Sequence, residues 1–212
     1  AYDETAWFMT RTPRSPQGSI MADGLQSFAG VSRVDILLTT PVSGTAVSST
    51  YDENGTPNLM NAAWGGQYGG NTIMICLGAH KTTENIKAKG VFTVSFATAK
   101  TAAPCDYVGT VSANSDPDKM KKSGFTTEKS ENIDAPVIKE LPLTLECKLV
   151  KFNEDGVVIG EIVNVSADES ILTDGKVDYK KLDAIVYEPI NLAYLRLGEK
   201  VGDAFKIGDS LK

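Results

Sequence analysis

The chain holds one histidine, His80, and three cysteines, Cys76, Cys105 and Cys147, among 212 residues. The cysteines lie far apart, form no CxxC pair and leave an odd count. That pattern suggests neither a zinc site nor a disulfide framework, and it fits a reducing, cytoplasmic compartment. No window approaches the roughly 20 apolar residues of a membrane span, so no bilayer crossing is expected. GxGxxG, Walker, GxSxG and HExxH motifs are all missing, which removes the common dinucleotide, nucleotide, hydrolase and zincin signatures. A nucleophile paired with His80, whether Cys105 or a serine, has no recognisable local context. Lysine and arginine number 21 against 27 acidic residues, and a net charge of -6 argues against a broad nucleic-acid surface. A chain so poor in acids, bases and nucleophiles suits a reaction carried by a bound cofactor.

What is present is enough apolar material, 42% of residues, for one sizeable core. Residues 1–34 contain Arg11, Pro13, Arg14, Pro16, Gly18 and Gly24 but no apolar h-region, so they read as an N-terminal arm or leader and not as an intact secretory signal. A domain over 35–212 follows. Its most informative stretch runs from Pro57 to Thr83. There a polar, glycine-rich segment, Asn58-Leu59-Met60-Asn61-Ala62-Ala63-Trp64-Gly65-Gly66, leads into an apolar strand at 72–77 and then Gly78-Ala79-His80-Lys81-Thr82-Thr83-Glu84. Thr82 or Thr83 can cap a helix with Glu84 in its first turn, Lys87 and Lys89 in its last and Gly90 as the stop. The free N–H groups at such a helix start, beside His80 and Lys81, favour an anion such as a phosphate.

Elsewhere β patterning dominates. Strands are expected at 45–51, 91–96, 143–152 and 157–165, with Asp52-Glu53-Asn54-Gly55 as a hairpin turn and a returning strand over 58–64. Asn153-Glu154-Asp155-Gly156 separates the two long strands. Short helices are expected at 102–111 and 116–123, the second with Pro117 at its first position. The fold class is mainly β with short helices, as a closed or partly split antiparallel barrel. Each candidate also has a plain structural reading. Trp64 could be a strand aromatic packed in the core, and Cys76 and Cys147 simple core residues. Asp106 and Tyr107 could serve a buried loop, while Lys119, in Asp118-Lys119-Met120-Lys121-Lys122, could sit on a solvated helix face. His80 and Lys81 could likewise form a solvated turn.

Taken in order, several pieces resemble the flavin reductase-like FMN-binding split-barrel family, and within it the flavoredoxin type. They are Tyr51-Asp52-Glu53-Asn54-Gly55, Pro57-Asn58 through Ala62-Ala63-Trp64-Gly65-Gly66, Thr83-Glu84-Asn85-Ile86 and Asp106-Tyr107-Val108-Gly109. Further on come Asp118-Lys119, Asp134-Ala135-Pro136, Leu145-Glu146-Cys147-Lys148-Leu149 and Ile159-Gly160-Glu161-Ile162-Val163. The resemblance runs from about Thr40 to the C-terminus. It implies a split antiparallel β-barrel that forms a homodimer, with FMN near the subunit interface and NAD(P)H or a redox protein as electron donor. By position Asn58, Asn61 and Trp64 match residues that line the isoalloxazine, together with backbone groups of Met60, Asn61, Ala62 and Ala63. Thr83 matches a flavin-contacting threonine and Lys119 a lysine that reaches the cofactor, while His80, Lys81, Thr82 and Thr83 would neutralise the phosphate.

The chain also departs from the family's pattern. Asn61 stands where threonine is common, Ser112-Ala113-Asn114 where Ser-Gly-Arg is frequent, and Gly78-Ala79-His80-Lys81 where an arginine precedes the helix. Gln67-Tyr68-Gly69-Gly70 replaces a different loop. Three functions follow from the resemblance: an FMN-dependent oxidoreductase such as an NAD(P)H:flavin reductase, a non-enzymatic flavoredoxin-type electron carrier, or a split-barrel binding protein that has lost flavin.

Overall fold

The computed structural model describes residues 46–212 together with two short strands, β1 (Ser19–Ile20) and β2 (Leu25–Ser27). Apart from those strands, the segment 1–34 expected as an arm or leader lies outside the described residues. Strand β3 (Ala46–Tyr51) turns through 52–55 into β4 (Pro57–Ala62), as the Asn-Gly signal predicts; the Asp52 carboxylate accepts the Asn54 and Thr56 N–H groups at 2.9 and 2.8 Å. Next come β5 (Gly65–Gly69), β6 (Thr72–Cys76), helix α1 (Lys81–Lys89) and β7 (Val91–Phe96). Helices α2 (Ala102–Thr110) and α3 (Lys119–Ser123) precede β8 (Thr127–Lys129) and β9 (Pro136–Ile138). The long hairpin β10 (Leu143–Phe152) and β11 (Val157–Asp168) leads to β12 (Leu172–Thr173), β13 (Lys176–Val177) and α4 (Tyr179–Leu182). A last hairpin, β14 (Ile185–Glu188) and β15 (Ala193–Arg196), closes the set of strands.

The main sheet is antiparallel in the order β1-β2-β11-β10-β7-β3-β4, with β6 joined to β11 and β5 joined to β6. Strand β11 explains the split. Its first half, Val157 to Glu161, pairs with β6, whereas Ser166 to Asp168 pair with β2, so one strand serves two branches of the curled sheet. Two register shifts in β10, at Glu146/Cys147 and Leu149/Lys151, add the local bend that such a curl needs. The fold is thus the split antiparallel β-barrel expected from the pattern. Phe92, Val94, Leu143, Leu145, Cys147, Val158 and Ile162 fill its interior. A second cluster, with Val47, Leu59, Cys105, Val108 and Ile138, lies on the other face of β3 and β4 beneath α2. Among the described residues no helix is long and apolar enough to cross a membrane.

Four local expectations are corrected. The returning strand ends at Ala62, and a glycine-rich strand, β5, occupies 65–69; glycines show no alternation, so only the ladder to β6 reveals it. Cys76 is exposed, because β6 alternates and turns Ile73, Ile75 and the following Leu77 inward; Cys147 is core as expected. Residues 106 and 107 stand on helix α2 and not in a loop. Pro117 precedes α3 instead of opening it, since a turn closed on the Asp116 carbonyl by the Lys119 N–H fills the start of the expected helix.

Candidate functional site

Helix α1 begins differently from its sequence reading. His80, with extended backbone (φ -130°, ψ 162°), is the N-cap, and its side chain makes no capping hydrogen bond. Thr82 and Thr83 lie inside the first turn and cap nothing. The Thr83 hydroxyl donates to the Gly78 carbonyl at 2.6 Å, while the Thr82 hydroxyl accepts from Asn58 Nδ2 at 2.7 Å. An imidazole at the cap supplies no oxygen acceptor, so the first N–H groups of α1 remain available to an outside anion.

A pocket opens at this helix start. His80, Lys81 and Thr82 form one wall, Asn58 and Met60 of β4 the floor, and the turn from Gly109 to Ala113 with Lys119 the far side. The lining contains no carboxylate, although the whole chain is acidic. Asn58 is buried and its Oδ1 has no partner; whichever way the amide is turned, one of its two polar atoms is left unpaired. Lys119, expected on a solvated face unless the resemblance held, is only 3% exposed. Its Nζ donates to the Leu59 carbonyl at 2.5 Å, and it pairs with no carboxylate among the described residues. Burial pushes its pKa down to about 8.

Lys81 is partly exposed and its ammonium stands 3.8 Å from the Glu84 carboxylate, a loose pair. Glu84 also accepts from Asn114 Nδ2 at 3.3 Å, so the residue standing where the family pattern has arginine turns to Glu84. The pocket's lysines are therefore Lys81 and Lys119, with the imidazole of His80 beside them.

Six of the eleven expected site residues line this pocket: Asn58, Met60, His80, Lys81, Thr82 and Lys119. Ala62 is buried in the barrel core, and Thr83 is committed to Gly78. Asn61 faces α2, with its own Oδ1 buried and unpartnered. Ala63 is half-buried, and Trp64 is 55% exposed in the turn between β4 and β5, which overturns the core reading of that indole.

Two features escape a sequence reading. A Cβ on Gly109 would lie 3.1 Å from Asn61 Cβ and 3.2 Å from its carbonyl oxygen, so glycine at that position relieves a tight approach of α2 to β4. The β14–β15 hairpin brings Tyr187 edge-on to Trp64, with ring centroids 6.3 Å apart. The alternation Ile185-Val186-Tyr187, followed by Pro189 and Asn191 and then Ala193-Tyr194-Leu195, was its available signal.

The arrangement can bind an anion at the start of α1; the pocket lining offers no carboxylate, thiol or tyrosine to pair with His80. Cys105 stands on the buried face of α2, and burial pushes its thiol up to about 12, which keeps it protonated. No group of three or more His, Cys, Asp and Glu among the described residues could hold a metal.

A model of the flavin reductase like domain matches residues 39–184. The flavoredoxin of Desulfovibrio vulgaris (Miyazaki F) is 34% identical, with a TM-score of 0.75 over 78% of this chain and 92% of that one. A flavoredoxin from Methanosarcina acetivorans is 31% identical, with a TM-score of 0.72 over 80% and 92%. An FMN-binding domain of a flavin reductases-like enzyme from Shewanella baltica OS155, 21% identical with a TM-score of 0.72 over 84% and 97%, shares the fold.

Proposed function

The chain belongs to the flavin reductase-like domain family, and on that premise we propose that it is an FMN-binding oxidoreductase that transfers electrons through a non-covalently held flavin. One observation carries the reading. In an acidic protein, a pocket without carboxylates combines an uncapped helix start, Lys81, Lys119 and the unpaired amide atom of buried Asn58. The lysines and helix N–H groups would hold the phosphate, and the Asn58 amide would meet a polar group of the cofactor. From Asn58 to Ala62 β4 advances on the order of 13 Å at strand rise, and Trp64 stands two residues beyond in the turn. Trp64 and Asn61 would then border the ring.

When bound, FMN supplies the electron-transfer chemistry. The protein's residues hold and orient it and surround it with fixed charge. Similarity to two flavoredoxins favours a second version of the same reading, a carrier that turns over no small molecule by itself. The flavin spectrum of the purified protein tests FMN binding. Steady-state oxidation of NADH or NADPH with added flavin then separates the versions: turnover marks a reductase, whereas a yellow protein without turnover is a carrier. A protein that takes up no FMN contradicts both.

We propose in addition that the protein works as a homodimer. Beyond β15 the chain exposes Val201, Phe205 and Leu211 at about nine-tenths of their surface, and Ile190 and Leu192 in the last hairpin are nearly as open. Apolar side chains so exposed need a cover, and a second copy supplies one of matching chemistry.

A further inference from the structure

Trp64 sits in a turn with more than half its surface open, so strand geometry alone does not fix its indole. Among the described residues one aromatic contact holds it. The Tyr187 ring meets it edge-on at an interplanar angle of 87°. Tyr187 is in turn paired across the hairpin with Tyr194, their centroids 6.0 Å apart. The Tyr194 hydroxyl donates to Asp106 Oδ1 at 2.7 Å, and Asp106 stands on α2, the helix whose Gly109 rests on Asn61. Burial and the neighbouring Asp106 carboxylate raise the Tyr194 pKa, so the phenol stays a neutral donor. A closed circuit therefore runs from β4 through Trp64, Tyr187, Tyr194 and α2 back to β4. Both tyrosines lie beyond residues 39–184, the part of the chain that the family model covers.

We propose that Tyr187 is a positioning residue that sets the orientation of Trp64 at the planar end of the ligand site, with Tyr194 and Asp106 anchoring it. This rests on the flavin reading above. The edge-to-face contact directs the positive ring edge of one aromatic at the negative face of the other, an arrangement with a defined angle that an aliphatic neighbour does not reproduce. A flavin ring stacked or wedged against Trp64 would thus meet a pre-set surface and lose less freedom on binding.

The test titrates FMN and riboflavin, by flavin fluorescence, into the wild-type protein, Tyr187→Leu and Tyr187→Phe. Thermal unfolding of each protein is followed alongside. Leucine keeps apolar bulk in the hairpin and removes the ring; phenylalanine keeps the ring. The expected result is that Tyr187→Leu weakens both flavins by the same factor, roughly threefold to tenfold. The visible bands of bound flavin should shift in Tyr187→Leu, and Tyr187→Phe should restore both affinity and spectrum. Equal binding by wild type and Tyr187→Leu overturns the proposal, as does a loss confined to FMN, which would place the defect at the phosphate end. Failure of Tyr187→Phe to restore binding overturns it too. A wild-type protein that binds neither flavin instead refutes the flavin reading, and with it the premise of the proposal.

Discussion

At the scale of single residues, Lys119 is the side chain whose environment departs furthest from what its neighbours in sequence suggest. Met120 and the lysines around it read as a solvated helix, yet the packing of α3 against β4 buries the Lys119 ammonium and ties it to Leu59. Only a long-range contact does this, so local charge patterning could not show it; position in a family motif could. Burial lowers the Lys119 pKa to about 8 from its ordinary 10.5. Between those values the unfolded chain binds more protons than the folded one, so this group makes ligand-free stability rise with pH from about 8 towards 10.5. Urea unfolding at pH 7.5 and pH 10 should show that contribution in the wild type and lose it in Lys119→Met. An anion held beside the ammonium reverses the preference. FMN affinity should therefore fall as pH rises through about 8, and Lys119→Met should flatten that fall.

At the scale of elements, much was legible because the signals were local. Strands 91–96 and 143–152, the 52–55 hairpin and the stop of α1 at Gly90 follow from alternation and turn chemistry, and they stand where expected. The misses have a common cause in tertiary pairing. Glycine-rich β5 exists through its ladder to β6, and His80 occupies the N-cap position of α1 without a capping bond although threonines nearby are better caps by type. Half of the pocket wall was named in advance on β4 and α1; the side built by Gly109 to Ala113 depends on how closely α2 approaches β4. Gly109→Ala tests that approach. The added methyl would press on Asn61 and push the helix away, lowering stability by about 1–3 kcal/mol and weakening flavin binding, as read by urea unfolding and flavin titration of one preparation.

At the scale of the whole molecule, the chain carries net charge -6 and yet gathers Lys81, Lys119 and His80 around one carboxylate-free pocket. That contrast, more than the fold, separates a ligand site from ordinary surface. The exposed apolar residues after β15 make the assembly testable: sedimentation at micromolar concentration should give twice the 22.7 kDa chain mass, and a species of 22.7 kDa alone would remove the dimer. On the proposed function, the pocket at the start of α1 binds the phosphate of a flavin mononucleotide. Equilibrium titration of FMN and riboflavin into the wild type and Lys81→Ala measures it most directly. One FMN should bind per chain, more tightly than riboflavin by a factor on the order of 10 to 100. In Lys81→Ala that preference should shrink while riboflavin affinity stays as it was. Equal affinity of the wild type for the two flavins, or no binding of either, would contradict it.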